Sequence, residues 1–339
     1  FRVGLLRLER SVKEKMSLIS PDDKPLPAVL INARPLIASL NEFFRSNQLS
    51  TILDDTNPLS EIDNLRRVSV LGTGGINRER ASFSIRDVNA SQYGRIDPIR
   101  SPEGPNIGLV TYLSLYAKVN EFGFIETLYK KVVKEGKKVK VTDEIIYLTA
   151  DDEEDHYITH SGVGIDEKGY ITDKRVPLRY KGKFIEGPAE LVEYIDVTPR
   201  QVVGASASLI PFLANDEGNR ALMGSNMQCQ AVPLVNPESP IVGTGMEGEI
   251  SAGMGRVVRA IHAGVVEHAD SEKVIVKLER KVKDEGFSTD DIEISKDGSR
   301  ETYFLTKFKR TAHSTCYNQI TRVEPGDKVS SGDLLIDGP

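Results

Sequence analysis

The sequence predicts an α+β chain of several domains, because three regions differ in their hydrophobic periodicity. Residues 1–117 carry helix-like spacing of apolar residues, interrupted by tight loops. Residues 118–197 consist of short β-branched and aromatic runs separated by turn residues. Residues 198–339 contain one helix-like segment and then alternating β-branched residues. A chain of 339 residues is long enough for two or three domains of ordinary size.

Three helices are expected at the start of the first region. One apolar stripe at helical spacing in residues 1–17 consists of Leu5, Leu8, Val12 and Met16. After breaks at Pro21, Pro25 and Pro27, a second stripe follows Pro35 and consists of Leu36, Leu40 and Phe44. The third helix has a clear start signal, because Asn57 can cap it and Pro58 occupies its first position. It is expected to end near Arg67.

The remainder of the first region is expected to place two loops on either side of a strand. The first loop, Leu71-Gly72-Thr73-Gly74-Gly75, is flexible by composition. Residues 83–88 then alternate as a strand does, starting with Phe83 and Ile85. Residues 101–106 form a second tight loop, rich in proline and glycine. An apolar run follows and ends at Tyr116.

The second and third regions are expected to be rich in β-structure. Residues 119–196 predict a small antiparallel β domain, because turn signals at 135–136, 168–169 and 181–182 separate its short runs. In the third region a helix is expected around Asn219 to Met227. Val274, Val276 and Leu278 then alternate with lysines, as in a half-buried strand. Residues 323–335 are typical of the turn-rich hairpin found in barrel-sandwich domains.

The composition excludes a membrane span and concentrates positive charge in one stretch. No run of eighteen or more apolar residues occurs, so no transmembrane helix is expected. The net charge of −6 argues weakly against a nucleic-acid binder. Residues 66–100 nevertheless hold seven arginines and three acids, a local charge of +4, and the fork of arginine matches phosphate oxygens. Roughly half of these arginines are expected to pair internally, with Glu79, Asp87 and Asp97.

Neither the cysteines nor the histidines form a recognisable metal or catalytic pattern. Cys229 and Cys316 are far apart and are expected to be two buried thiols in a reducing cytosol. His156 and His160 would share one face of a helix and could then bind a metal. Their segment is predicted to be β-structure, in which that spacing loses its meaning, so no metal site is expected.

The loop that contains Gly72, Gly74 and Gly75 could cradle a phosphate or could be an ordinary mobile loop. A dinucleotide-binding fingerprint needs a further glycine where Asn77 stands. No Walker loop, HExxH or GxSxG pattern occurs in the sequence. Arg78 and Arg80 follow the loop directly, an arrangement that suits contact with a nucleic-acid backbone.

Two other segments allow both a structural and a functional interpretation. Residues 219–230 combine Arg, Asn and Gln on a short apolar helix. These side chains could donate to phosphates and hydroxyls, or could form the polar face of a capped helix, and the pattern favours both equally. In residues 323–335, Lys328 lacks the setting of the modified lysine in biotin or lipoyl carriers, so a structural hairpin is favoured over a carrier.

Long ordered motifs resemble the β subunit of bacterial DNA-dependent RNA polymerase. The motifs are Phe43-Phe44-x-Ser46-x-Gln48-Leu49-Ser50, Asp54-x-x-Asn57-Pro58-Leu59-Ser60-Glu61, Arg66-Arg67-x-Ser69-x-Leu71-Gly72, Arg78-Glu79-Arg80, Tyr93-Gly94-Arg95, Pro102-Glu103-Gly104-Pro105-Asn106, Ala207-Ser208-Leu209-Ile210-Pro211-Phe212, Asn219-Arg220-Ala221-Leu222-Met223-Gly224 and Val242-Gly243-Thr244-Gly245-Met246-Glu247. The resemblance covers essentially the whole chain, most loosely at residues 118–203. The chain is expected to be an internal fragment of that subunit, since it opens with Phe1 and stops after a strand-like stretch.

The resemblance implies a fork region at 1–117, a small external β domain at 118–197 and the start of a β-rich, barrel-sandwich hybrid-binding domain at 198–339. Such a wall would hold template DNA and nascent RNA, with Arg78 and Arg80 contacting DNA. The residues expected to line the RNA and the hybrid are Gln48, Arg67, Glu103, Asn106, Arg220, Asn226 and Gln230. The same family binds rifamycin antibiotics, in a pocket expected here to be lined by Gln48, Thr51, Asp54, Asn64, Arg67, Ser69, Leu71, Pro102 and Asn106.

Three positions depart from the pattern of the family. Thr51 stands where the family usually has Gln, and Asn64 stands where it usually has His. Both replacements shorten a side chain that helps to hold the drug, so this chain is expected to bind rifamycin weakly. Cys229 stands where the family usually has Arg, which is expected to remove one local nucleic-acid contact.

The resemblance also implies the setting in which the chain works. The assembled enzyme would use Mg²⁺ held by an aspartate triad of the β′ subunit, while this chain would bind no cofactor or metal, contain no catalytic residue and be inactive alone. The implied partners are the β′, α and σ subunits, template DNA and nascent RNA, in the cytoplasm and without a membrane. Two alternatives remain, namely a non-catalytic barrel-sandwich binding or scaffold module and an isolated phosphate-binding enzyme that uses the glycine loop.

Overall fold

The structure is a computed structural model that describes residues 1–20, 26–136, 138–282, 291–295 and 297–338. It confirms a mixed α+β chain of more than one domain. Two compact units are distinguished, the first formed by Phe1–Ile52 with Val70–Asn77 and the second by Leu53–Ser69 with Arg78–Pro339. The domain boundaries expected near residues 117 and 197 stay predictions. None of the helices in the described ranges has the length and apolarity needed to cross a membrane.

The helices of the described residues include all four of the expected helical segments. They are α1 (Arg2–Leu18), α2 (Pro27–Leu30), α3 (Arg34–Ser46), α4 (Pro58–Leu65), α5 (Phe83–Arg86), α6 (Ala150–Glu154), α7 (Ala205–Ser208), α8 (Gly218–Gln230) and α9 (Glu247–Ala252). Helices α1, α3, α4 and α8 confirm the four that the sequence predicts. Pro27 begins α2 instead of only breaking the chain, whereas Pro21 and Pro25 lie outside the described residues.

The strands are short and lie in several small sheets. They are β1 (Arg67–Ser69), β2 (Val110–Tyr112), β3 (Lys118–Val119), β4 (Ile125–Glu135), β5 (Lys138–Leu148), β6 (Ile158–Thr159), β7 (Arg175–Tyr180), β8 (Lys183–Pro188), β9 (Tyr194–Asp196), β10 (Val258–Arg259), β11 (Gly264–Ala269), β12 (Lys273–Leu278), β13 (Ile292–Ile294), β14 (Arg300–Phe304), β15 (Lys309–Arg310), β16 (Cys316–Tyr317), β17 (Ile320–Thr321), β18 (Lys328–Val329) and β19 (Leu334–Asp337).

In the first unit, α1 packs along α3 through a glycine instead of through the full stripe of leucines. Gly4 is buried, and a Cβ atom there would lie 2.8 Å from Leu36 Cδ1. Leu5 and Met16, which were expected on the packed face, are more than half exposed. The packed face is therefore rotated from the predicted one, because the close approach of the two helices requires the residue without a side chain.

The glycine-rich segment of the first unit is a hydrogen-bonded turn. Gly75 N donates to Gly72 O at 3.0 Å, and Ile76 N donates to Val70 O at 2.9 Å. The φ angles of Gly72 and Gly74 are +124° and +83°, values that favour glycine. Glycine is thus used here for backbone geometry, and two backbone bonds close the loop.

Helix α4 opens the second unit with the predicted cap. The side chain of Asn57 accepts a hydrogen bond from Ser60 N at 2.7 Å, and Ser60 Oγ accepts one from Asn57 N at 3.1 Å. The Asn57 amide also donates to the carbonyls of Gln228 and Ala231, at 3.0 and 2.9 Å. One side chain therefore caps α4 and ties it to the end of α8.

Replacing Asn57 with alanine is expected to lower the free energy of unfolding by about 2 kcal/mol, because a helix cap and two carbonyl partners are lost together. Urea denaturation followed by circular dichroism measures the change. The control is Asn89→Ala, since Asn89 caps only an exposed turn through Ser91 N and should cost at most about 0.5 kcal/mol. Equal losses at the two positions would contradict the bridging role of Asn57.

The strand predicted at residues 83–88 is wrong, because residues Phe83–Arg86 form the helical turn α5. Phe83 is 88% exposed, so the alternation does not report a buried face. The Arg86 guanidinium instead donates to the carbonyls of Pro105 and Ile107, both at 2.8 Å. The segment is therefore held by hydrogen bonds from the Arg86 side chain to the 101–109 loop. Residues Phe83–Arg86 do not pair with a neighbouring strand among the described residues.

The β domain predicted at residues 119–196 corresponds to a seven-stranded sheet in the second unit. Its strand order is β3-β4-β9-β6-β7-β8, with β5 paired to β4. The described strand pairs are antiparallel except for β6 with β9. The buried residues of its larger core are Val132, Val139, Val163, Val176, Leu178, Val192 and Ile195.

A buried ion cluster fixes the preceding segment to this sheet. The Glu153 carboxylate lies 2.6 Å from Arg95 Nη1 and 3.0 Å from Arg179 Nε, and it accepts a hydrogen bond from the Tyr129 hydroxyl at 2.9 Å. Arg179 Nη2 also lies 3.7 Å from the Asp196 carboxylate. Burial raises the pKa of Asp196. Because Arg95 precedes the sheet in the chain, the cluster joins that segment to β4, β7 and β9.

The β-rich remainder forms a five-stranded sheet, β13-β14-β12-β11-β18, and a three-stranded one, β10-β19-β17. The buried side chains of Val274, Val276 and Leu278 confirm the predicted strand at β12. The hairpin predicted at 323–335 is wrong, because β18 pairs with β11 whereas β19 pairs with β10 and β17. The two strands lie in different sheets, although Val329 of β18 and Leu335 of β19 are buried in the same core. No closed barrel occurs in the part of the chain that the structure describes.

Candidate nucleic-acid interface

Four of the seven arginines in residues 66–100 are engaged inside the second unit. Arg66 donates to the carbonyls of Ser114 and Leu115, and Arg86 grips the 101–109 loop. Arg95 pairs with Glu153, and Arg100 Nε lies 3.3 Å from Asp63 Oδ2. The three acids expected as partners were therefore the wrong ones. Asp97, for example, accepts the backbone N–H groups of Ile99 and Gly204, at 2.9 and 2.8 Å.

The other three arginines, Arg67, Arg78 and Arg80, are exposed. Arg67 begins β1, where it is paired in register with Tyr112. Arg78 and Arg80 lie on a single 3₁₀ turn that carries only Glu79 between them. Their guanidinium groups make no side-chain hydrogen bond or ion pair with any described residue. These are the arginines of the stretch that remain available to phosphates.

The residues expected to line RNA differ in their exposure and in the hydrogen bonds that their side chains make. Glu103, Arg220 and Gln230 are exposed in the second unit. Asn106 is half-buried, and its Oδ1 accepts no hydrogen bond from the described residues. Asn226 is engaged on both sides of its amide, because it accepts from Arg100 and donates to Ser101 O at 3.2 Å. Asn226 therefore ties α8 to the 101–109 loop.

The residues expected to form the rifamycin pocket fall into both units. Gln48, Thr51 and Leu71 belong to the first unit, where Gln48 and Thr51 are exposed. The members in the second unit are Asp54, Asn64, Arg67, Ser69, Pro102 and Asn106. Asp54 accepts hydrogen bonds from Thr56 N and Thr56 Oγ1, at 3.3 and 2.8 Å. The pocket itself stays a prediction.

The second unit contains a buried polar cluster that the sequence did not indicate, formed by Asp63, Arg100, Ser206 and Cys229. The Asp63 carboxylate accepts hydrogen bonds from Ser206 Oγ and, at 3.0 Å, from Cys229 Sγ, beside its contact with Arg100. Burial, reinforced by the nearby Asp63 charge, raises the pKa of the Cys229 thiol to about 12. The thiol therefore remains protonated and acts as a hydrogen-bond donor.

The structure confirms one expectation about cysteine and corrects another. Cys229 is buried as expected, being 6% exposed, and its thiol donates to Asp63, whereas the expected loss of a nucleic-acid contact at this position stays a prediction. Cys316 was expected to be buried but is exposed in β16. Only contacts between distant segments distinguish these two thiols, since neither has a local sequence signal.

The two histidines considered as metal ligands serve separate local roles. His156 Nδ1 lies 2.8 Å from Glu193 Oε2, whereas His160 Nδ1 accepts from Gly162 N at 3.0 Å. No group of three or more His, Cys, Asp or Glu side chains in the described ranges is placed to hold a metal ion.

Comparisons with known proteins cover the whole chain. Residues 51–119 match the family model of RNA polymerase Rpb2, domain 3, and residues 129–198 match that of the RNA polymerase beta subunit external 1 domain. The DNA-directed RNA polymerase subunit beta of Staphylococcus carnosus is 50% identical over 339 residues, which are 100% of this chain and 28% of that protein. The same subunit of Acetivibrio thermocellus is 48% identical over 339 residues, 100% of this chain and 26% of that protein. The chain thus spans about a quarter of the length of these curated relatives.

Proposed function

Because the chain belongs to the β-subunit family of bacterial DNA-directed RNA polymerases, we propose that it forms part of the wall around the DNA–RNA hybrid in the assembled enzyme. The observation that carries this proposal is the identity of about one residue in two over all 339 positions. The exposed arginines support it, since Arg67, Arg78 and Arg80 are exposed and no side-chain hydrogen bond or ion pair to a described residue engages Arg78 or Arg80.

The proposed contribution to transcription is positioning. Nucleotidyl transfer requires metal ions, which we assign to the β′ subunit, and these clamp the attacking and departing oxygens. This chain would hold the RNA so that its 3′ end stays in line, and such positioning can contribute several kcal/mol to the rate. Arg67 and Arg220 would contact phosphates without reading sequence, while Gln230 would reach sugar hydroxyls. The chain alone is proposed to be inactive.

The wider setting follows from the same membership. We propose that residues 1–117 form the fork region, 118–197 the external β domain and 198–339 the start of a barrel-sandwich hybrid-binding domain. The proposed partners are the β′, α and σ subunits, template DNA and nascent RNA, in the cytoplasm. A scaffold module without nucleic-acid contacts is the alternative, and it predicts no salt-dependent affinity for a hybrid.

Replacing Arg78 and Arg80 with alanine in the assembled polymerase is expected to weaken its binding to a nucleic-acid scaffold. Each arginine that neutralises one phosphate contributes about 0.9 to the slope of log affinity against log salt, so the double variant should lose about 1–2 units of slope. Fluorescence titration of a labelled DNA–RNA scaffold at several salt concentrations measures this slope.

The control for that experiment is Arg175→Ala, because Arg175 is also exposed but pairs with Glu186 across β7 and β8, at 3.3 Å. Its replacement should leave the slope unchanged. An unchanged slope in the Arg78 and Arg80 variant would remove both residues from the proposed DNA contact. A slope near zero in the unaltered enzyme would favour the scaffold alternative.

A further inference from the structure

Arg100 lies at the centre of a buried junction in the second unit. The residue is 6% exposed, and Asp63, which it contacts, is 4% exposed. Its Nε lies 3.3 Å from Asp63 Oδ2, its Nη1 donates to Asn226 Oδ1, and its guanidinium carbon lies 4.7 Å from the centre of the Tyr112 ring. One planar fork therefore contacts three segments that are far apart in the chain.

The partners of Arg100 belong to, or adjoin, residues expected to line the RNA path or the rifamycin pocket. Asp63 precedes Asn64 on α4, and Tyr112 is the register partner of Arg67 in β1 and β2. Asn226 lies one turn before Gln230 on α8 and donates to Ser101 O, directly ahead of Pro102. A shift of the guanidinium would therefore be transmitted to each of these positions.

The junction combines hydrogen bonds with one ion pair, in which Arg100 Nε faces Asp63 without a hydrogen bond to any described residue. Asp63 accepts bonds from Ser206 and Cys229 as well as contacting Arg100, so its charge is surrounded by donors. Removing the guanidinium would leave a buried carboxylate with two neutral donors, which favours rearrangement of the elements around it. Lysine could not replace arginine here, because a point charge cannot contact Asp63 and Asn226 with separate arms of a fork.

We propose that Arg100 is a positioning residue for the RNA path, which fixes α4, the 101–109 loop and α8 relative to one another. This inference rests on the proposed function, because the adjoining residues must contact RNA for their placement to matter. Arg100 itself is buried and is not proposed to touch nucleic acid.

Position 229 offers a test that a general loss of stability does not mimic. Cys229 Sγ lies 3.0 Å from the same Asp63 oxygen, so an arginine there can approach Asp63 from the opposite helix. In the Arg100→Ala background the removed side chain provides space, and Cys229→Arg then restores both the volume and the charge. Cys229→Arg alone places two guanidinium groups beside one carboxylate and should be worse than either the unaltered chain or the double variant.

The experiment uses assembled polymerase containing a full-length β subunit and measures dissociation of a short labelled RNA from a DNA–RNA scaffold. Arg100→Ala is expected to speed dissociation about tenfold, because small displacements of positioning groups are costly. Arg100→Ala with Cys229→Arg is expected to return to within about threefold of the unaltered enzyme. Arg175→Ala is the control and should change nothing.

Several outcomes decide the inference. An Arg100→Ala enzyme that assembles and keeps the unaltered dissociation rate overturns it, and so does an assembled double variant without recovery. If Arg100→Ala does not assemble, Arg100→Lys takes its place, and an unaltered dissociation rate in that variant also overturns the inference.

Photochemical crosslinking of the RNA to the unaltered enzyme distinguishes failure of this inference from failure of the proposed function. Without crosslinks to residues 64–106 or 220–230 the proposed function itself fails, whereas crosslinks with an unaffected Arg100 variant refute only the inference.

Discussion

Replacing Glu153 with alanine is expected to destabilise the seven-stranded sheet by about 3–5 kcal/mol, the usual cost of removing one partner from a buried ion cluster. Arg95, Arg179 and the Tyr129 hydroxyl all contact this carboxylate within 3.0 Å. Its loss leaves two buried guanidinium groups with one remaining carboxylate, Asp196, at 3.7 Å from Arg179. The effect should therefore exceed that of a typical surface mutation severalfold.

Urea denaturation and hydrogen exchange of the amides in β4, β7 and β9 measure this loss. The matched control is Glu144→Ala, because the Glu144 carboxylate lies 3.7 Å from Lys131 Nζ on an exposed face and should cost less than about 1 kcal/mol. Glu153→Gln should fall between the two, since it keeps the shape but not the charge. A Glu153→Ala chain as stable as the Glu144→Ala chain would show that the buried cluster is not a structural link.

Replacing Thr51 with glutamine and Asn64 with histidine is expected to strengthen rifamycin inhibition of the assembled enzyme by about 10–100-fold. The resemblance to the polymerase family implies that both longer side chains help to hold the drug. Each restored hydrogen bond contributes about 0.5–1.5 kcal/mol, and every 1.4 kcal/mol corresponds to a tenfold change in affinity. Thr51 is exposed and Asn64 half-buried, each within its own unit.

Inhibition titrations of the unaltered enzyme, both single variants and the double variant measure this effect. Asn89→His is the control, because Asn89 lies on an exposed turn and has no expected part in the pocket. Nanomolar inhibition of the unaltered enzyme would contradict the expected weak binding. Equal inhibition of the unaltered and double-variant enzymes would exclude positions 51 and 64 as the determinants.

Local sequence signals predicted the elements that form by local physics. Asn57 and Pro58 marked the start of α4, because a cap and a fixed φ angle act within one turn. The alternation around Val276 marked β12, because one face of that strand is buried in a core. The same alternation failed at Phe83, where the apolar residues are exposed and a side-chain grip by Arg86 holds a helical turn instead.

The sequence predicted which residues could contact nucleic acid. It did not predict which of their side chains are instead bonded to other residues of the chain. An excess of arginine over acid in residues 66–100 is visible in the sequence, as are the motifs shared with the polymerase family. Which arginines are engaged internally depends on partners such as Glu153, which lies 58 positions from Arg95. No local periodicity reports a contact over that distance.

The sequence alone therefore determined the α+β class, the main helices and the family, because capping, periodicity and long motifs are local properties of the chain. Only the tertiary structure decided that Arg100 is buried against Asp63 and Asn226 while Arg67, Arg78 and Arg80 remain exposed. The physical reason is that folding determines which acceptors lie close to each arginine. An arginine with buried acceptors nearby is bonded inside the protein, whereas one without them remains exposed to solvent. Asn226 is 126 positions from Arg100, and folding alone brings the two together.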